Sequence, residues 1–318
     1  MSKRLGVVFP GQGSQAVGMG ADIAAKSSAA KALFDRANDV LGYDLFALIQ
    51  NGPDERLRET RFSQPAIFVT NLALYEAGRP FTTPIVSAGH SFAEFCSLTI
   101  ADAIAFDGAL RVVAERANAM QAAAEAAPGG MAAVLGLNDA AIRAGVERVR
   151  RDTGMRLQLA NFNSPTQIVI SGDRAAIAAA NDVMLEAGAK RVVDINVSGA
   201  WHSELMEPAI PRFARAVESA RIEIPKFAVV SNVTAKPYTS VQEIRENLVR
   251  SITSEVRWHD ASLRLLEFKP DLIVEFSGDK GVMAPLFRRI PNAPEVLNVS
   301  DSAGVERLRA ALNAPVSA

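Results

Sequence analysis

The stretch Pro84-Ile85-Val86-Ser87-Ala88-Gly89-His90-Ser91-Phe92-Ala93-Glu94 decides the fold. Residues 84–88 are a short apolar run, which suits a strand buried on both faces of a parallel sheet. Residues 94–105 follow without a linker and carry a helical pattern. A serine between strand and helix, with small neighbours in the pattern Gly-x-Ser-x-Ala, outlines a nucleophile elbow. Alanine at Ala93 departs from the usual glycine and adds one methyl where helix and strand pack. An ordinary turn could carry the same five residues, but the strand before and the helix after favour the elbow. Such a helix aims backbone N–H groups and its positive end at whatever Ser91 attacks.

Working outward, residues 5–9 (LGVVF) form another buried strand, ending at Pro10-Gly11. Residues 18–42 have helical spacing, and residues 65–75 (PAIFVTNLALY) read as a buried helix that starts at its proline. Towards the C-terminus, residues 227–231 and 272–276 read as strands, and 242–252 and 262–267 as helices. The tail after Ala311 is expected to fray. Residues 130–200 have a rhythm of their own: strand 131–135, helix 139–153, strands 158–160 and 167–171, helix 174–187 and strand 191–197. This βαββαβ order is ferredoxin-like. The chain therefore divides into an α/β catalytic domain of residues 1–129 and 201–318 and an inserted small domain of residues 130–200.

At 318 residues the chain exceeds the usual size for one core, in line with that division. Its composition, 49% hydrophobic and 22% charged, is ordinary for a globular protein, and a net charge of −1 argues against a general nucleic-acid binder. The one cysteine, Cys96, cannot close an internal disulfide, which fits a reducing compartment. Residues 5–9 are too short for a signal-peptide core and no apolar run reaches membrane-spanning length. A cytoplasmic monomer with no membrane or nucleic-acid partner is expected. One cysteine and scattered histidines offer no metal site.

Ser91 needs a base, and the chain has 3 histidines. His90 adjoins Ser91 and is expected to point away, bonding backbone groups behind the elbow. His259, in Arg257-Trp258-His259-Asp260, reads as a structural histidine. His202 lies where the small domain returns to the large one, and a cleft between domains is where a base should face a substrate. By residue type alone, a lone histidine is more often structural.

The family pattern decides that choice. The chain resembles malonyl-CoA:acyl carrier protein transacylases, including free-standing acyltransferases that serve polyketide synthases. The resemblance rests on Phe9-Pro10-Gly11-Gln12-Gly13-Ser14-Gln15, Ser63-Gln64-Pro65-Ala66, Gly89-His90-Ser91 and Arg116 with Met120-Gln121. It continues through Asn161-Phe162-Asn163-Ser164-Pro165, Gly199-Ala200-Trp201-His202-Ser203 and Ser231-Asn232-Val233-Thr234. It implies an α/β-hydrolase-like large domain with an inserted ferredoxin-like small domain. It also implies transfer of malonyl from coenzyme A, a substrate rather than a cofactor, to the phosphopantetheine thiol of an acyl carrier protein, for fatty acid or polyketide synthesis. No cofactor is implied.

By motif, Ser91 is the acylated nucleophile and His202 its base. The backbone N–H groups of Gln12 and Phe92 form the oxyanion hole. Arg116 pairs with the malonyl carboxylate, although beside Arg111 and Glu115 it also reads as a solvated helix residue. Trp201 takes the place of a phenylalanine that crowds substituted acyl groups. A backbone carbonyl near Ser251 orients the histidine; Ser251 replaces the usual glutamine and Glu255 the usual proline. Asn161 and Asn163 read as turn formers without a catalytic role. The turn Ser277-Gly278-Asp279-Lys280-Gly281 carries one extra residue. Lys190, Arg191, Lys280, Arg288 and Arg289 are candidate cations for docking an acidic carrier protein. Two rivals use the same residues differently: an acyl hydrolase that clears carrier proteins, and a carrier-binding module without chemistry. A transferase for a bulkier acyl unit is a third reading.

Overall fold

The computed structural model describes residues 3–79 and 83–313. Its strands are β1 (Leu5–Phe9), β2 (Val86–Gly89), β3 (Gly129–Leu135), β4 (Leu157–Ser164), β5 (Gln167–Asp173), β6 (Arg191–Ile195), β7 (Ala228–Val229), β8 (Leu272–Phe276) and β9 (Val296–Val299). They make two sheets. The first, in the order β7-β2-β1-β8-β9, is parallel throughout. The second, β4-β5-β3-β6, is antiparallel throughout and has the ferredoxin-like order. The α/β expectation holds, and the second sheet is built from one unbroken run of chain.

All five residues of β1 are buried, as a central parallel strand requires. Leu5, Val7 and Phe9 join the core beneath helix Thr60–Ala77, while Val8 joins the core on the other face with helix Trp258–Glu267. In the second sheet Ala132, Val134, Ile168 and Ile170 pack against helices Asp139–Thr153 and Arg174–Glu186. The opposite face turns Met131, Val169 and Ile195 towards a cavity between the sheets. No helix among the described residues is long and apolar enough to cross a membrane.

Several boundaries differ from expectation. The helix read from Pro65 begins at Thr60, with the proline inside it. Thr60, Ser63 and Gln64 are buried, and Thr60 N–H donates to Gln121 Oε1 at 3.0 Å, so tertiary packing carries the helix past the residue that marks its start in sequence. The helix read over 94–105 stops at Ile100, and a separate helix, Phe106–Ala126, starts just beyond the range read. Asp102, with φ 56°, breaks them apart, and Ala103 N–H reaches back to the Leu98 carbonyl, which closes the first. The strand expected over 227–231 is only Ala228–Val229 in the sheet, with Val230 in an isolated bridge to Pro237. The last helix, Ser302–Asn313, continues past Ala311; the residues beyond it lie outside those described.

Candidate active site

The loops after β1, β2 and β8 meet at the C-terminal edge of the parallel sheet, where such sheets hold ligands. The elbow forms because β2 ends on Gly89, whose missing side chain lets the Ala93 carbonyl lie against it; a Cβ there would overlap that carbonyl. Ala93 itself has ordinary helical φ and a buried methyl, so the feared crowding falls on Gly89 instead. Ser91 is held at φ 55°, a left-handed conformation that costs a non-glycine residue about 1–3 kcal/mol.

Asn232 maintains that strain. Its Oδ1 accepts the Ser91 N–H at 3.0 Å, and its Nδ2 donates to the Gly89 carbonyl at 2.9 Å and the Ser91 carbonyl at 3.3 Å. The buried Glu94 carboxylate accepts from Asn232 N–H and Nδ2 and from the Tyr238 hydroxyl. Burial pushes the Glu94 pKa up, and these hydrogen bonds oppose it. Neither Asn232 nor Glu94 carries a role that its residue type announces in the sequence. The motif Ser231-Asn232-Val233-Thr234 was the only signal for Asn232.

Ser91 Oγ lies 2.8 Å from His202 Nε2. On the other side of the ring, His202 Nδ1–H donates to the Ser251 carbonyl at 2.8 Å. That bond fixes the tautomer, leaving the Nε2 lone pair for the serine proton. His202 is buried and also left-handed, at φ 59°. Burial, reinforced by the Arg116 charge and opposed by the Ser251 carbonyl, brings its pKa down to about 3, so the imidazole is neutral. The replacement of glutamine by Ser251 leaves the orienting carbonyl in place.

Arg116 is 1% exposed. Its Nη1 donates to Gln64 Oε1 at 2.8 Å and its Nη2 sits 3.4 Å from Ser91 Oγ. Its Nε has no hydrogen-bond partner among the described residues, and no carboxylate there pairs with it. Burial lowers its pKa to about 9, with the charge of Glu94 acting against the fall. The solvated reading of Arg116 is overturned: the helix turns it inward, opposite the face that carries Arg111.

Gln12 lines the cavity, and its Nε2 donates to Thr60 Oγ1 at 3.0 Å. Its backbone N–H bonds to no other described residue. Phe92 follows Ser91 directly, and its ring is in the core. Trp201 lines the cavity too; its ring lies over Gly199, where a Cβ would come within 2.6 Å of it. The cavity holds about 220 Å³ and has apolar walls from Met120, Met131, Val169, Ile195 and Leu286. Glu275, in β8, accepts the N–H groups of Val282, Met283 and Ala284, which braces the wall after the lengthened turn.

A family model described as acyl transferase domain matches residues 7–287. The chain belongs to the acyl transferase domain family. It is 37% identical over 304 residues to the malonyl CoA-acyl carrier protein transacylase of Haemophilus influenzae, covering 95% of this chain and 96% of that one. The solved malonyl CoA-acyl carrier protein transacylase of Coxiella burnetii superposes with a TM-score of 0.93 at 33% identity, over 100% of this chain and 99% of that one. A malonyl-transacylase solved in complex with its type II PKS acyl-carrier protein superposes at 0.91 with 36% identity, over 96% and 98% of the two chains.

Other expectations for this acyltransferase need correction. His90 does not bond the backbone behind the elbow. Its Nε2–H donates to Asn163 Oδ1 at 2.9 Å, and the ring lies on the cavity wall. Asn161 and Asn163 belong to β4, not to a turn. Asn161 forms a bridge to Val256. Glu255, in place of proline, pairs with Arg143 at 2.8 Å. His259 sits half-buried near Phe162, away from the cavity, as expected. Of the candidate docking cations, Arg289 is held by Ser164 and Gln167, and Lys190, Arg191, Lys280 and Arg288 are exposed.

Proposed function

We propose that this acyltransferase moves a malonyl group from coenzyme A to the phosphopantetheine thiol of an acyl carrier protein through an ester on Ser91. His202 Nε2 takes the Ser91 proton as Oγ attacks the thioester carbonyl. The N–H groups of Gln12 and Phe92 hold the oxyanion, each worth about 3 kcal/mol in such sites. The tetrahedral intermediate expels the coenzyme A sulfur, which takes the proton from His202. The carrier thiol then gives its proton to His202 and attacks the ester, and the proton returns to Ser91 as the thioester forms.

The observation that carries the reading is the buried Arg116 guanidinium beside Ser91, paired with no carboxylate among the described residues. A planar cation in that place suits the free carboxylate of malonyl. A hydrolase of neutral acyl groups has no use for it, and a module that only binds has no use for the neutral, oriented His202. Trp201 on the cavity wall supports a steric gate against α-substituted acyl groups. The buried Cys96 thiol suits the cytoplasm, and we read the enzyme as a monomer.

Mixing the enzyme with malonyl-CoA and weighing it should show one malonyl adduct on the wild type. Ser91→Ala should show none, and His202→Ala should form it slower by orders of magnitude. An adduct persisting on Ser91→Ala would sink the proposal.

A further inference from the structure

Gln158 stands in β4 opposite Ser171 of β5, which stands opposite Met131 of β3, itself opposite Ile195 of β6. Residues opposite one another across a sheet share a face. Met131 and Ile195 line the cavity, so Gln158 leaves the second sheet on the cavity side. There its Nε2 donates to the His202 carbonyl at 3.1 Å and to the Thr253 carbonyl at 3.0 Å, and its Oε1 accepts the Glu204 N–H at 3.0 Å. Only this orientation of the amide matches two acceptors and one donor. Both of its donors are used. One side chain thus joins the backbone immediately after His202, at its own carbonyl and the Glu204 N–H, to Thr253, two residues beyond Ser251.

We propose that Gln158 is a positioning residue, which holds the backbones of His202 and Ser251 in the one arrangement that points Nε2 at Ser91. The inference rests on the serine–histidine reading above. An imidazole oriented by a neutral carbonyl has no charged partner to draw the ring into place. Its direction depends on how the two backbones sit relative to each other, and small misplacements of reacting groups are costly. His202 is left-handed and opens directly onto the turn Glu204–Ala209, so the chain there has its own reasons to relax. Gln158 supplies the restraint from the second sheet.

The test is a double-variant cycle on the full chain. Gln158→Leu and Gln158→Met keep most of the volume and remove all three bonds. Gln158→Glu keeps the acceptor but sets a carboxylate against two carbonyls, and serves if the apolar variants fold poorly. Burst release of coenzyme A from malonyl-CoA reads acylation, and a thermal melt reads the fold. Acylation should fall about tenfold to a hundredfold, with KM for malonyl-CoA changed less than about twofold. In a His202→Ala background the same changes should cost less than about twofold, because no base remains to misplace. Equal losses in both backgrounds, a loss carried by KM, or no loss in the wild-type background would overturn the inference alone. Unchanged acylation in His202→Ala would overturn the serine–histidine reading and this inference with it.

Discussion

Arg116 shows how a single residue can define a substrate. Its spacing from Met120-Gln121 was legible through the resemblance, but its burial was not, since the neighbouring Arg111 and Glu115 give that helix a solvated look. Placed inside with no carboxylate partner among the described residues, it leaves an unmet charge for the acyl group to answer. Removing one partner of a buried charge pair costs about 2–5 kcal/mol. Arg116→Ala should therefore lower kcat/KM for malonyl-CoA at least about thirtyfold and leave acetyl-CoA unharmed or improved. A ratio of malonyl to acetyl turnover that stays constant would count against the clamp. His202 yields a prediction of a different kind. Its pKa is held down, to about 3, and a base with a lowered pKa stays deprotonated to lower pH. The acid limb of kcat/KM for acylation should fall well below the ordinary histidine pKa of about 6.5, which a pH–rate profile of the free enzyme reads directly. An inflection near the ordinary value would mean that His202 is solvated in the working enzyme.

At the scale of elements, the elbow was readable because strand, turn and helix are adjacent in the chain. Of the pattern's two small positions, only the first, Gly89, requires glycine. Gly89 lies against the Ala93 carbonyl, whereas Ala93 adopts ordinary helical geometry with room for its methyl. Gly89→Ala should destabilise the protein by about 3 kcal/mol, at the upper end of overpacking costs, and abolish acylation. Ala93→Gly should keep acylation within about threefold and cost about 1 kcal/mol or less. Thermal melts and acylation bursts on the two variants separate the roles; comparable damage from both would refute this account of the turn. The helix Thr60–Ala77 starts earlier than its proline signals for a related reason. Proline is a strong local signal, but buried contacts at Thr60, Ser63 and Gln64 extend the helix beyond it and bring Gln64 to Arg116.

Across the whole molecule, the two sheets meet around the cavity through backbone as much as side chains. Phe162 N–H donates to the Val256 carbonyl and Val256 N–H to the Ala160 carbonyl, each at 2.8 Å, which ties β4 to the segment just after Ser251. The Arg143–Glu255 pair lies beside this bridge but is partly exposed, and such pairs contribute only about 0–1 kcal/mol. Glu255 can thus replace proline without the junction depending on it. Gln158 adds a side-chain tie at the same place. The second sheet is therefore wall and brace together.

By itself the sequence determined the layered α/β plan, the βαββαβ run, the elbow at Ser91 and, through ordered motifs, His202 and Arg116 as its partners. These rest on patterns among near neighbours, or on motifs that keep their order along the chain. Only the tertiary structure decided that Asn232, 141 residues from Ser91, clamps the elbow. The same holds for Gln158, which ties the backbone after His202 to that after Ser251, and for the absence of any carboxylate paired with Arg116 among the described residues; the orienting carbonyl near Ser251 is already implied by the resemblance, and the structure sets its 2.8 Å distance. A hydrogen bond between distant segments leaves no period or spacing in the chain. It exists because packing two sheets brings particular backbone groups within about 3 Å of one another, and that distance is a property of the fold.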